Sequence, residues 1–489
     1  MITTLVLLAL RLDLARVTGF GDAEALYVAY SLHPQPGYLD HPGLIGWIAG
    51  LLGSAKGPPS PLRVHVFTAL LATLLPWLGV LTARRLGAER RGALNVYFAL
   101  ALLPELAIGL FALTPDVPLA FVWLATLTAA AIALSSPASS LGTLLAYLAT
   151  GAGAGLACLS KASGALLALG ILLCALRPGS WSRWRTLGPW AALLVFGLVA
   201  EPLVRWEIEQ GFPMLGHRLV KLPGETGPSL VTTGRLLTGQ LLYVTPPFLV
   251  AAVLLARDLY RRRRQGPRER LLQLTVASAF FPLLLLCLYS PVAEPHWLAP
   301  AYLGLCLFAG QSDAVRRWLG LCCAGFGLVM VVLGWAWVRT DLPIDVGDAL
   351  GGYEPRYDPS NDLYAWNTGG PMLAEAVEQA QKRTGRVPTV VGPHWVVCAQ
   401  AEVALGGKVP VGCDSPVLDD YDRWLPRVRW REAPTVLFVS DSRFELEPPY
   451  SLGEHELVSR RDVEVRRGGR LVRTISVLEL DRGSANAAR

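Results

Sequence analysis

At 489 residues, with 52% hydrophobic side chains, 17% charged ones and a positive mean hydropathy, the chain is too apolar for an ordinary soluble enzyme. The net charge of +6 is modest, and the arginines gather in a few short loops, as topology determinants do, without forming the stripe a nucleic-acid binder uses. No nucleic-acid partner is expected.

In chain order, the apolar run Ile2 to Leu10 comes first, followed by Arg11, Asp13 and Arg16. It lacks the basic start and small-residue cleavage site of a secretory signal, so a short first helix is predicted. A bilayer-spanning helix needs about 20 mostly apolar residues, and about eleven segments are candidates. They are 2–17, 62–83, 93–113, 117–135, 140–159, 163–177, 187–205, 234–256, 271–290, 297–310 and 318–338. Arg84, Arg85, Arg90 and Arg91 follow the second span; Arg177, Arg183 and Arg185 follow the sixth. Arg257, Arg261 to Arg264, Arg268 and Arg270 follow the eighth, and Arg316 and Arg317 the tenth. All these loops come after even-numbered spans. Positive charge marks the cytoplasmic side, so one orientation satisfies them together: N-terminus cytoplasmic, C-terminal part exported. The expected location is a bacterial inner (plasma) membrane, with the C-terminal domain periplasmic or extracellular.

The opposite loops hold the chemistry-capable residues. Asp22 and Glu24 precede an aromatic-containing stretch; a carboxylate there can activate an acceptor hydroxyl or hold a divalent metal ion, and plain loop solvation is the other explanation. In Tyr38-Leu39-Asp40-His41-Pro42, the proline favours an extended His41, and the apolar run Leu44 to Leu52 is predicted to be a surface helix in the membrane interface. That would hold Asp40 and His41 at headgroup level. Asp116 stands where it can cap the next span, or join Asp22 and Asp40 on one face. Lys161 interrupts an apolar stretch; it either snorkels to the interface or binds a phosphate. His217, Arg218, Lys221 and His296, the last in Glu294-Pro295-His296-Trp297, add basic groups that together can cradle a lipid-linked phosphate. Glu105 and Glu201 lie within spans, where they are expected to pair or to face a polar cavity.

Six of the eight cysteines sit in apolar runs as small hydrophobes. Cys398 and Cys413 fall in the polar C-terminal part and can form a disulfide if it is exported. Beyond Thr340 a helix is predicted over 371–383 and buried strands over 387–397 and 434–440, giving a small α/β domain. The division expected is a membrane domain 1–338, an extracytoplasmic domain 339–482 and a disordered tail 483–489. Asp419 to Asp422 with Trp424 can bind a sugar or form an ordinary acidic loop.

The run GDAEALYVAYSLHPQPGYLDHPGLIGWIAG (21–50) resembles the first extracytoplasmic loop of the protein O-mannosyltransferase-like glycosyltransferases, a group that includes the lipid A aminoarabinose transferases. LTPDVPLAFVW (113–123), LSKASGALL (159–167), GHRL (216–219) and EPHWLAPAYLGL (294–305) follow in the family's order, and Tyr421 to Trp424 resembles its C-terminal Tyr-Asp-x-Trp element. The resemblance implies an α-helical polytopic membrane protein of GT-C fold. It also implies a polyprenyl-phosphate sugar donor, transfer outside the cytoplasm with inversion, and an acceptor that is a lipid, a glycan or a protein. A first-loop carboxylate, Asp22 or Glu24, would be the base. Asp40, His41, Asp116, Lys161, His217, Arg218, Glu294 and His296 would bind substrate. A divalent metal ion is compatible with these carboxylates but not required by the resemblance. Two positions depart from the pattern: Ala23-Glu24 stands where the family has Asp-Glu, and Gly43 replaces the second proline of Asp-His-Pro-Pro. They leave open a catalytically inactive lipid-sugar binding subunit. A transporter is the competing class, although polar residues in loops and the absence of a repeat argue against it.

Overall fold

The computed structural model describes the chain except residues 56, 138–139, 218–226, 262–265, 291–292, 445–451 and 483–489. The segment expected to be a disordered tail therefore lies outside the described residues. The polypeptide packs as two units: one of 1–9, 36–45 and 67–334, the other of 10–35, 46–66 and 335–489.

The first unit is helical. Among the described residues six helices are long and apolar enough to cross a membrane: Pro61–Leu86, Asp116–Ser135, Leu141–Ser160, Leu187–Glu209, Pro267–Tyr289 and Arg317–Arg339. Two bent pairs raise the number to eight. This is an integral membrane protein with fewer full-length spans than the hydropathy pattern predicts, and the difference is one of length. The first candidate is a 14-residue helix, Ile2–Ala15, and the tenth a 10-residue helix, Ala299–Phe308. At about 1.5 Å per residue, ten residues cover half of a hydrocarbon core of about 30 Å. The candidate 93–113 breaks at Leu103 into Arg90–Leu102 and Pro104–Ala107, because Pro104 cannot continue the hydrogen-bond ladder. The candidate 234–256 splits into Leu230–Tyr243 and Pro246–Arg261, bent by 99°. Thr245, at φ 71°, makes that turn.

Asp116–Ser135 is the most enclosed of the six, with 67% of its apolar window buried against 22% for Leu187–Glu209. It packs on Leu141–Ser160, which packs in turn on Leu187–Glu209. Gly151 and Gly155 permit that second contact: a Cβ on Gly151 would stand 2.1 Å from the Ala192 carbonyl oxygen, and one on Gly155 2.7 Å from Val199. Small residues four apart bring helix backbones together where lipid supplies no hydrophobic drive.

The second unit holds a five-stranded sheet: β1 Thr389–Gly392, β2 Val411–Cys413, β3 Thr435–Asp441, β4 His455–Arg467 and β5 Arg470–Arg482, in the order β2-β1-β3-β5-β4. β1 runs parallel to β2 and β3, with Val390 opposite Leu437; β5 is antiparallel to β3 and β4. Val391, Trp430, Val436, Phe438, Leu478 and Leu480 form its core. The predicted strand 387–397 stops at Gly392. His394 then caps a helix, Trp395–Ala404, its Nδ1 accepting from the Val396 amide at 3.3 Å. β4 escapes sequence reading because HELVSRRDVEVRR buries few side chains; it is joined to β5 at Gly468-Gly469, both at positive φ, as a tight hairpin requires.

Of the first loop, residues 18–35 and 46–61 belong to this unit and 36–45 to the first. Helix Asp22–Ala29 lies against Trp395–Ala404, and Ala25, Val28, Ala29 and Tyr30 are fully buried. The predicted surface helix is present as Leu44–Leu52.

Candidate functional site

Asp22 opens its helix, after Gly21. One carboxylate oxygen accepts from Arg443 Nη1 at 2.6 Å and the other from Gln400 Nε2 at 3.3 Å. Arg443 also binds Asp362 at 3.1 Å and Asp441 at 2.7 Å, while Arg473 donates to Asp362 at 2.9 Å. Three carboxylates thus share two guanidinium groups in a largely buried cluster. Burial, followed by the charge of Asp22, raises the Asp362 carboxyl to about 6 against the pull of Arg443 and Arg473.

Glu24, two residues on, points elsewhere. Its Oε2 pairs with His65 Nε2 at 2.9 Å, and His65 Nδ1 meets the Thr18 hydroxyl at 3.1 Å. Glu24 is 1% exposed and His65 fully buried, whereas the Asp22 side chain keeps 15%. Of the two candidate bases, Asp22 is the one a substrate hydroxyl can approach from solvent.

The acidic stretch expected to bind a sugar or form a loop is a short helix, Asp420–Trp424, tied to the first loop. Asp419 caps it, accepting from the Tyr421 amide at 2.9 Å; burial raises this carboxyl to about 6. Tyr421 donates to Glu402 at 2.9 Å, and Glu402 holds His33 at 2.6 Å. His33 stacks on Trp424 with ring centroids 4.0 Å apart. Cys398 and Cys413 are buried free thiols in contact with each other; burial raises Cys398 against the pull of that contact, while the contact with Cys398, and then burial, raises Cys413.

In the first unit, Lys161 ends helix Leu141–Ser160 and extends to Asp116, with Nζ 2.9 and 2.8 Å from the two carboxylate oxygens. Lys161 is 8% exposed, so it is an ion-paired interior lysine and not a snorkelling one. Asp116 makes no capping hydrogen bond to its own helix; its carboxylate serves the lysine. Asp116 also lines a cavity of about 400 Å³ together with Glu105, Thr114, Tyr243 and His296, the remaining wall being mainly apolar. Both carboxylate oxygens of Glu105 are buried without a hydrogen-bond partner. His296 Nδ1 lies 3.1 Å from Glu294. Asp40 and His217 form another pair, at 3.8 Å, beside the bridge between Gly37 and Pro42 in which the Tyr38 amide donates to the His41 carbonyl at 2.9 Å. Arg218 and Lys221 lie outside the described residues. Glu201 is half exposed, with Arg205 at 3.4 Å.

Among the described residues no group of three or more His, Cys, Asp or Glu is arranged to hold a metal ion. His65, Gln400, Glu402 and Arg443 carry no motif of their own. Their partners lie tens to hundreds of positions away, so only an expectation that first-loop carboxylates need counter-charges pointed toward them.

Residues 40–206 match the sequence profile of the family described as "Dolichyl-phosphate-mannose-protein mannosyltransferase". In structure, the chain is similar to ArnT from Cupriavidus metallidurans in the apo state, with a TM-score of 0.62 and 17% identity over 97% of this chain and 96% of that one. It is equally similar to the same protein bound to undecaprenyl phosphate, with a TM-score of 0.62 and 17% identity over 99% and 98%. The S. cerevisiae Pmt1-Pmt2 complex aligns over 44% of this chain and 33% of that one, with 23% identity and a TM-score of 0.35. No curated protein matches in sequence.

Proposed function

We propose that this chain, a membrane glycosyltransferase of the GT-C fold, moves a sugar from a polyprenyl-phosphate donor to an extracytoplasmic hydroxyl with inversion, and that Asp22 is the base. Asp22 takes the acceptor's proton as the acceptor oxygen attacks the anomeric carbon. The bond from that carbon to the phosphate oxygen breaks, and polyprenyl phosphate departs. Arg443 and Gln400 hold Asp22 oriented; Glu24, sealed on His65, fixes the helix that carries it. Lys161, set by Asp116, supplies positive charge for the phosphate. His217, Arg218 and His296 add to it, with Asp40, His41 and Glu294 positioning them and the substrate. Residues 1–338 form the catalytic membrane domain in this scheme, and 339–482 the extracytoplasmic one.

The observation that carries the proposal is the buried pairing of Lys161 with Asp116, a residue of the cavity wall, since an interior lysine in a membrane segment is costly and marks a functional site. Support comes from the family profile, whose name specifies a polyprenyl-linked sugar, and from the undecaprenyl phosphate held by the structurally similar ArnT. The test is label transfer from a panel of polyprenyl-phosphate sugars to membrane extracts. Asp22→Asn should abolish transfer while insertion and folding persist, and Glu24→Gln should lower it mainly by loosening the fold. Equal activity in Asp22→Asn and wild type would remove Asp22 from the chemistry.

The double engagement of the first-loop carboxylates, Asp22 by Arg443 and Glu24 by His65, favours a second function: a lipid-sugar binding subunit without turnover. Donor binding by the wild type with no transfer from any donor would establish it.

A further inference from the structure

Glu105 has no part in the scheme above. It follows Pro104 in a one-turn helix at the break in the segment 93–113, and neither carboxylate oxygen has a partner among the described residues. Such a group is expensive in an apolar wall unless something donates to it. The cavity it lines, about 400 Å³, lies within the roughly 300–1,000 Å³ range of small-molecule sites. Its other polar lining groups are Thr114, Asp116, Tyr243 and His296. Asp116 is already occupied by Lys161, at 2.8 Å. Glu105 is therefore the one strong acceptor in this wall with both oxygens unspent.

We propose that Glu105 is a specificity-determining residue that binds the sugar of the donor lipid, accepting hydrogen bonds from its hydroxyl groups or from an amino substituent. The inference rests on the lipid-linked donor proposed above. It separates two tasks: the phosphate is met by Lys161, behind the Asp116 that lines the cavity, and the sugar by Glu105. An apolar residue at 105 would suit the wall better and leave the lipid phosphate unaffected, yet would give the sugar nothing to bond.

The experiment measures binding to the full-length protein in detergent of three short-chain probes: bare polyprenyl phosphate, the same lipid bearing a neutral hexose, and one bearing an amino sugar. Wild type is compared with Glu105→Gln and Glu105→Leu, and thermal unfolding checks that each variant is folded. Glu105→Leu should weaken the preferred sugar-bearing probe by about tenfold or more and leave bare polyprenyl phosphate within about twofold of wild type. If the partner is an amine, Glu105→Gln should lose as much as Glu105→Leu; if hydroxyl groups, Gln should fall between Leu and wild type. Unchanged binding of both sugar probes by Glu105→Leu, or a parallel loss for bare polyprenyl phosphate, overturns the assignment while leaving the lipid-linked donor intact. Failure of the wild type to bind any of the three removes the donor proposal, and this inference with it.

Discussion

Replacing Arg443 with methionine removes the cation between Asp22, Asp362 and Asp441, whose oxygens lie 2.6, 3.1 and 2.7 Å from its nitrogens. Breaking a buried ion pair by deleting one partner costs about 3–5 kcal/mol, because the other charge stays buried. Here Asp441 is 1% exposed, while Asp22 and Asp362 keep 15% and 16%, which places the loss near 3 kcal/mol at pH 8. The pH dependence has a definite sign. Asp362 is already raised to about 6, and without Arg443 the cluster binds protons more readily still. An acid whose folded pKa exceeds its unfolded one favours the fold below the unfolded pKa and loses that contribution as pH rises through the folded one. Arg443→Met should therefore melt well below wild type at pH 8 and recover much of the difference at pH 5. Adding Asp22→Asn should restore about 1 kcal/mol or more at pH 8, since one buried charge has gone. The assay is thermal unfolding of full-length protein in detergent, with limited proteolysis of residues 335–482. A loss that is equal at pH 5 and pH 8, or an Asp22→Asn substitution that adds to the damage, would refute the shared-charge account.

Asp116→Asn leaves the Lys161 ammonium 8% exposed with no counter-ion and should cost about 3 kcal/mol; Asp116→Asn with Lys161→Met should recover most of it in the same unfolding assay. Gly151→Val drives a Cβ into the Ala192 carbonyl, a backbone atom no rotamer change can relieve, so a loss of at least about 2 kcal/mol and poor recovery from membranes are expected. Asp419→Asn should stabilise the protein at pH 8, because the native carboxyl is raised from 3.8 to about 6 and its ionisation above that pH costs up to about 3 kcal/mol. At pH 4 the gain should vanish, since asparagine caps a helix about as well as aspartate.

Hydropathy made the membrane character legible, and with it Lys161, because an ionisable residue in an apolar stretch stands out at any window. Its partner was readable only as a residue in a turn: nothing local distinguishes an aspartate that caps its own helix from one that reaches to position 161. Apolar segments outnumber the continuous full-length helices among the described residues because apolar composition registers a 10-residue helix such as Ala299–Phe308 and a run broken at Pro104 as readily as a continuous 20-residue one. In the C-terminal part, β3 announced itself through seven consecutive buried residues, while β4 carries charges along most of its length. Asp22 and Glu24 were found as a pair of carboxylates. Their separation into a reachable one and a sealed one depends on His65 and Arg443, contacts that no periodicity encodes.

The Asp22–Arg443 contact joins residues 421 positions apart. During synthesis the helix carrying Asp22 is made almost first, yet the groups that hold it, Gln400 and Arg443, arrive only near the end of translation. A loop closure of that span forms late and slowly. Asp22 is thus without these partners for nearly the whole of biogenesis. A truncated chain that has inserted its helices carries every first-loop residue and still lacks the clamp, which closes only once the last strands have folded.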